Sequence, residues 1–205
     1  MKYSKIISAM CVGVVSLTFM SIFLCAADEP GKLVMKTVES GLTVLKEPSL
    51  KGPEKTQERR QRLWQEISFI FNFEEMSKRA LGQHWKKRTP EEKKEFVELF
   101  TNIMKDAYIG KTDTYSGEKI VFLKEKNDDN KYATVQTKII SNTGTEVLVD
   151  YRMLSNDGKW TIYDVIIEGV SLVNNYRSQF NNILMKSSFE ELIQKIKDKK
   201  GKEEI

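Results

Sequence analysis

Thiols and imidazoles are almost absent from this 205-residue chain, which has two cysteines and one histidine. Both cysteines, Cys11 and Cys25, fall inside an apolar leader, so the chain from Asp28 onward has no thiol, which excludes structural disulfides and thiol catalysis there. The lone histidine, His84, has no cysteine or clustered carboxylate at metal-ligand spacing, and no metal site is expected. It sits beside Lys86, Lys87 and Arg88, without an acid to orient it as a general base, so its expected role is structural. Glycine-rich phosphate loops, nucleophile elbows and paired-carboxylate motifs are missing too; no catalytic residue and no cofactor is expected. A sustained excess of one charge is also lacking. The 33 basic and 29 acidic residues give +4, too even a balance for a nucleic-acid-binding face.

What is present begins with Lys2 and Lys5, an apolar run from Ile6 to Leu24, and Cys25-Ala26-Ala27 ahead of acidic Asp28-Glu29. That order is the order of a cleavable secretory signal peptide over residues 1–27. A large residue, Leu24, stands where a lipidated cysteine normally has a small one before it, which argues against a lipoprotein. Cleavage after Ala27 removes two lysines and lowers the formal charge to +2. The remainder, 28–199, has the length of one domain with its own core, and 200–205 is a charged tail.

Helical periodicity comes first. Val34, Val38, Leu42 and Leu45 share one helix face, and Pro48 with Gly52-Pro53 closes that segment. A polar, arginine-rich stretch follows, until Leu63, Trp64, Ile67 and Ile70 restore an apolar stripe. Asn72 suits an N-cap for a short helix from Phe73 to Leu81, with Gly82 to end it. Thr89-Pro90-Glu91-Glu92 places a capping threonine, a proline at the first helical position and a glutamate three residues after the cap, a strong helix start. The stripe that follows, from Phe96 to Tyr108, is wide enough to meet apolar material on two sides.

After Tyr115-Ser116-Gly117 the period changes to that of strands. Turn clusters at 127–130, 141–144 and 155–158 divide them into four, an antiparallel meander. Ala133, Val135, Thr137 and Ile139 share a face, as do Val147, Val149, Tyr151 and Met153, so one side of the sheet is apolar. The last strand groups Thr161, Tyr163, Val165 and Ile167 on one side and Trp160, Ile162, Asp164 and Ile166 on the other. Helices with Leu172, Tyr176, Phe180 and Ile183, then Leu192, Ile193 and Ile196, close the chain. The order of elements is that of one α+β domain.

Two polar groups stand out. Asp164 interrupts an apolar strand, where a carboxylate serves as a salt-bridge partner or turn cap, or as an acid or base if it faces a cavity. Arg177, with Tyr176, Ser178 and Gln179 in the same turn, offers a bidentate fork that suits a phosphate or a helix-surface ion pair.

The run from Trp160 to Phe180, joining strand to helix across Gly169, resembles the signature of the MlaC family, the toluene-tolerance auxiliary proteins. Phe71-Asn72-Phe73-Glu74-Glu75-Met76, Ala80-Leu81-Gly82-Gln83-His84-Trp85, Thr89-Pro90, Tyr115-Ser116-Gly117-Glu118 and Asp150-Tyr151-Arg152 extend the resemblance over nearly all of the chain after the leader. It implies an NTF2-like fold: a curved antiparallel four-stranded sheet packed with N-terminal and C-terminal helices around an apolar lipid cavity. It also implies a periplasmic phospholipid carrier that shuttles lipid between an outer-membrane lipoprotein-porin complex and an inner-membrane MCE-domain ring with its ABC transporter, maintaining outer-membrane lipid asymmetry. Burying two acyl tails is worth on the order of 20 kcal/mol relative to water, at roughly 0.8 kcal/mol per CH₂. A carrier that competes with a bilayer for those tails needs a deep apolar pocket and weak discrimination among headgroups. On this reading Phe96, Phe100, Val135, Val149, Tyr151, Tyr163 and Val165 line the pocket, and Tyr176 and Arg177 meet the headgroup. A small NTF2-like enzyme using Asp164, or an adaptor domain without ligand, is the alternative.

Overall fold

The computed structural model describes residues 29–129 and 131–198. The expected leader over 1–27 and tail over 200–205 lie outside the described residues, as does Asn130 of the first predicted turn. All four prolines of the chain open helical segments, where a missing N–H is harmless because first-turn N–H groups have no intrahelical acceptor. Pro30 starts α1 (Pro30–Lys46). Pro48 and Pro53 start the 3₁₀ turns Pro48–Leu50 and Pro53–Lys55, which lead into α2 (Thr56–Ile67).

Both predicted caps form. Asn72 Oδ1 accepts from the Glu75 N–H at 2.9 Å to start α3 (Phe73–Leu81), and Gly82, at a φ of 54° that suits glycine, ends it. Pro90 starts α4 (Pro90–Ile109) within a reciprocal cap: the Thr89 hydroxyl accepts from the Glu92 N–H at 3.2 Å, and the Glu92 carboxylate accepts from the Thr89 N–H at 2.7 Å. Between them the basic connector, for which the sequence shows no periodicity, is wound into a 3₁₀ segment, Gly82–Lys87.

The sheet is antiparallel in the order β1 (Lys119–Asp128), β2 (Tyr132–Ile140), β3 (Glu146–Asn156), β4 (Lys159–Ile167), β5 (Val170–Ser171). Five strands replace the predicted four. Glu168 and Gly169 both take positive φ, 49° and 80°, which is the two-residue hairpin geometry; the chain therefore reverses once more before α5 (Leu172–Leu184) instead of passing directly from strand to helix. Helix α6 (Phe189–Asp198) follows.

Strand β4 also departs from simple alternation. Arg152 pairs with Asp164 but Met153 pairs with Ile162, so Tyr163 is an extra residue, a bulge that shifts the phase. Trp160 and Ile162 therefore share a face with Val165 and Ile167, and Tyr163 does not join them. A second irregularity falls at Leu123 of β1, and together the two bend the sheet.

Three buried clusters hold these elements together. Helices α3 to α6 enclose an aromatic cluster around Phe96, Phe100, Tyr176, Phe180 and Phe189. The inner face of the sheet packs Ala133, Val135, Val149, Met153, Ile162 and Val165 against Val34 of α1 and Ile70. Val44, Leu50, Leu63 and Ile109 join α1, α2 and the end of α4. As its wide stripe predicts, α4 serves two sides: Met104 faces the aromatic cluster and Ile109 the α1–α2 cluster. Among the described residues, no helix is long and apolar enough to cross a membrane.

Candidate functional site

Helix α1 lies across β1 and β2 and against α2, and the space between these elements stays partly unfilled. A cavity of about 230 Å³ is bounded on the α1 side by Val34, Val38, Leu42 and Leu45, the residues whose spacing marks one helix face. Leu63 and Ile67 of α2, with Ile70 and Phe71 after it, form a second wall, and Ile120, Tyr151 and Ile162 of the sheet form the third. Gly41 is what brings the helices this close: a Cβ there would lie 3.3 Å from both Leu63 and Ile67. The two threonine hydroxyls on the wall are already used. Thr37 donates to the Leu33 carbonyl at 2.9 Å and Thr112 to the Ile109 carbonyl at 2.6 Å. Burial pushes the Tyr151 phenol up. What faces the cavity is therefore apolar in effect as well as in composition.

A second cavity, of about 710 Å³, adjoins the first, since Leu45 and Thr112 border both. Its character is opposite. Lys46, Lys51 and Arg59 line it together with Asp113, Tyr115 and Ser116. Arg59 donates to the Leu50 carbonyl at 2.9 Å and to Asp113 at 3.2 Å, and Arg60 Nε donates to the same carboxylate at 3.0 Å. Burial alone would push the Asp113 carboxyl up, toward its neutral form, but these two guanidiniums outweigh it and hold the carboxyl below its usual range. Lys46 and Lys51 are exposed, so this chamber opens to solvent.

The nine residues expected at a lipid site do not converge on one place. Val135, Val149 and Val165 are buried in the sheet cluster and Tyr151 packs against it; of these, Tyr151 borders the apolar cavity. Phe96, Phe100 and Tyr176 lie in the aromatic cluster of α3 to α6. There Phe96 and Phe100, both 0% exposed, stack at 5.9 Å and meet Phe180 edge-on at 5.5 and 5.8 Å, with Tyr176 edge-on to Phe100 at 5.3 Å. Tyr163, on its bulge, receives the Arg79 guanidinium over its ring at 4.0 Å and meets Tyr132 edge-on. Arg177 is exposed and crosses Gly82 so closely that a Cβ there would come within 2.8 Å of its Nε.

The polar candidates are engaged with their surroundings. Asp164, 3% exposed, accepts from the Ser171 hydroxyl at 2.7 Å and the Val173 N–H at 3.1 Å, and pairs with Arg152 at 3.4 Å. It caps α5 and ties that helix to the bulged strand. His84 Nε2 lies 3.1 Å from Asn181 Oδ1, joining the basic connector to α5. Among the described residues, no three His, Cys, Asp or Glu side chains come together as a metal site would require. The residues that sequence reasoning leaves out of the site are those of α1 and α2. Their stripe is legible, but the only sign that it borders a cavity is Gly41, a helix-interior glycine with no local reason to be there.

The family model described as MlaC protein matches residues 35–198. The intermembrane phospholipid transport system binding protein MlaC of Haemophilus influenzae is 27% identical over 129 residues, 61% of this chain and 60% of that protein. The toluene tolerance protein ttg2D of Pseudomonas putida is 28% identical over 102 residues, 50% of this chain and 47% of that one. The matches thus span less than two thirds of either relative. A solved phospholipid-binding protein from Ralstonia solanacearum, in complex with a phospholipid, superposes with a TM-score of 0.75 at 24% identity, covering 83% of this chain and 96% of that one. That likeness establishes a shared fold.

Proposed function

The chain belongs to the MlaC family, and from that premise we propose that it is a phospholipid carrier whose acyl-chain site is the apolar cavity between α1, α2 and the sheet. The observation that carries this reading is the pairing of chambers: an apolar space whose threonine hydroxyls are internally satisfied adjoins a wider polar chamber across Leu45 and Thr112. An amphiphile needs such a pairing, with tails inside and headgroup outside. Small-molecule pockets typically measure about 300–1,000 Å³, so the inner chamber, at about 230 Å³, admits two tails only by widening. We take helix α1 to be the wall that moves: only Val34 of α1 is fully buried in the sheet cluster, with Leu33 and Val38 packed against it partly exposed. Tyr151 bounds the tails directly, and Val135, Val149 and Val165 form the packed layer around it. Phe96, Phe100 and Tyr176 brace the far side of the domain.

The family connection extends the proposal to the biological role. A secretory leader delivers the protein to the periplasm, where it carries phospholipid between an outer-membrane lipoprotein-porin complex and an inner-membrane MCE-domain ABC transporter, and so maintains outer-membrane asymmetry. The Haemophilus relative, an intermembrane phospholipid transport system binding protein, supports a role in phospholipid transport. Asp164 then acts as an α5 cap, in keeping with its three donors.

The test is transfer of a fluorescent phospholipid between donor and acceptor vesicles. The wild-type protein is expected to accelerate it catalytically. Val38→Trp, which fills the inner chamber from α1, is expected to stay folded and lose transfer, since overpacking costs about 1 to 3 kcal/mol only where no space exists. No acceleration by the wild type would defeat the carrier reading, and full transfer by folded Val38→Trp would move the tails elsewhere.

A further inference from the structure

We infer that the outer chamber binds the phosphate of a lipid headgroup and that this chain therefore prefers phospholipids of net negative charge over zwitterionic ones with the same tails. The inference rests on the carrier reading of the neighbouring apolar cavity and adds to it a selectivity that tail burial alone does not supply.

Charge arrangement is the first ground. The chamber is lined by three cations, Lys46, Lys51 and Arg59, against one carboxylate, Asp113. That carboxylate is already shared between Arg59 and Arg60, so it neutralises neither lysine. Of the nearby acids, Glu54 lies over Gly52 at the chamber's edge, and the other two are engaged. Glu47 accepts from Arg62 at 2.9 Å and from the Ser49 hydroxyl at 2.6 Å, and Glu118 accepts from the Ser116 N–H at 2.9 Å and its hydroxyl at 3.0 Å. Lys46 and Lys51 thus present positive charge to the chamber at the point where it adjoins Leu45 and the apolar space.

A second, independent ground is Tyr115. Its hydroxyl is buried and has no hydrogen-bond partner among the described residues, although Tyr115 lines this same chamber. Buried hydroxyls are nearly always paired, and a phosphate oxygen is an acceptor of the right kind. Arg59 is fixed from behind by the Leu50 carbonyl, so its guanidinium is held in place. Lysine ammonium groups and a neutral phenol suit a phosphate diester. A zwitterionic headgroup brings its own ammonium close to Lys46 and Lys51, and that repulsion is the source of the discrimination.

The experiment offers the protein from residue 28 onward vesicles of phosphatidylglycerol and phosphatidylethanolamine in equal amounts with identical acyl chains. The lipid retained after separation is then identified by mass spectrometry. The wild type is expected to retain phosphatidylglycerol in about fivefold excess, the scale of one or two partly exposed charge contacts. Lys46→Ala/Lys51→Ala is expected to bring the ratio close to one while the protein still holds lipid. The control, Lys186→Ala/Lys195→Ala, removes the same charge from exposed positions elsewhere and should keep the wild-type ratio. A wild type that retains both lipids equally, or a control that loses the preference as fully as the chamber variant, overturns the inference and leaves the carrier reading intact. A wild type that retains no lipid overturns both. Titration with inorganic phosphate separates the remaining source: thermal stabilisation by phosphate alone that vanishes in Lys46→Ala/Lys51→Ala, beside an unchanged lipid ratio, would assign the chamber to a free anion and overturn the headgroup claim.

Discussion

At Asp164 a single carboxylate joins three pieces of the fold: the bulged strand β4, the short β5 and the first turn of α5. Replacing it with alanine removes an acceptor from the Val173 N–H and leaves Arg152 without its partner. Hydrogen bonds to a charged group are worth about 1.5–3 kcal/mol, so Asp164→Ala is expected to lose about 2 to 4 kcal/mol in urea denaturation. Asp164→Asn, which keeps an acceptor, should lose less. Equal stability in all three proteins would contradict the capping role. Titration gives a second expectation at this scale. Burial, with a smaller contribution from Tyr176, pushes the Tyr108 phenol up to about 12, and burial raises Tyr151, Tyr163 and Tyr176 as well. A raised phenol means that the folded state holds its proton longer than the unfolded chain does, so stability is complete below about pH 10 and falls as pH rises toward 12. Tyr108→Phe should lessen that alkaline loss in thermal melts. Asp113 works with the opposite sign: its lowered value stabilises the fold above about pH 4 and is lost on acidification, so Asp113→Asn should be less stable at neutral pH and lose less on going to pH 3.

Elements were legible in the sequence to the extent that their signals are local. The caps at Asn72 and Thr89, the stop at Gly82 and the wide stripe of α4 are each written in a few adjacent residues, and each forms. The hairpin at Glu168-Gly169 was not legible, because a non-glycine residue at positive φ gives no compositional warning. The bulge at Tyr163 escaped for a related reason: alternation fixes which residues share a face only while the register holds. The apolar stripe of α1 could be read, yet periodicity does not tell a face that fills a core from one that borders a cavity. Phe96 and Phe100, bulky and on the wide apolar stripe of α4, drew the expected site toward that helix, whereas the apolar cavity described above lies at α1 and α2. The α1 wall has its own test. Its first turn is fastened to the sheet edge by the Gly31 N–H donating to Glu125 at 2.8 Å. Glu125→Ala is expected to speed vesicle-to-vesicle lipid transfer about two- to fivefold, as lowering the opening barrier by roughly 0.4 to 1 kcal/mol, a part of what this hydrogen bond contributes, would do, with little change in melting temperature. Unchanged transfer would mean that the helix start does not limit opening.

The whole molecule divides its labour between clusters. Aromatic packing among α3 to α6 supplies a fixed body, and Phe100→Ala there should cost about 3 to 5 kcal/mol. On the proposed carrier reading the sheet and α1 are the adjustable part, where a small apolar space and a polar chamber meet. Such a division suits a protein that has to hold a ligand strongly enough to leave a bilayer and release it at another. The most direct test of that account is native mass spectrometry of the purified protein, with no lipid added. The expected spectrum shows the folded chain with one phospholipid mass that departs on denaturation, and the same adduct absent from folded Val38→Trp. A bare mass for the folded wild type, unchanged after incubation with phospholipid vesicles, would contradict it.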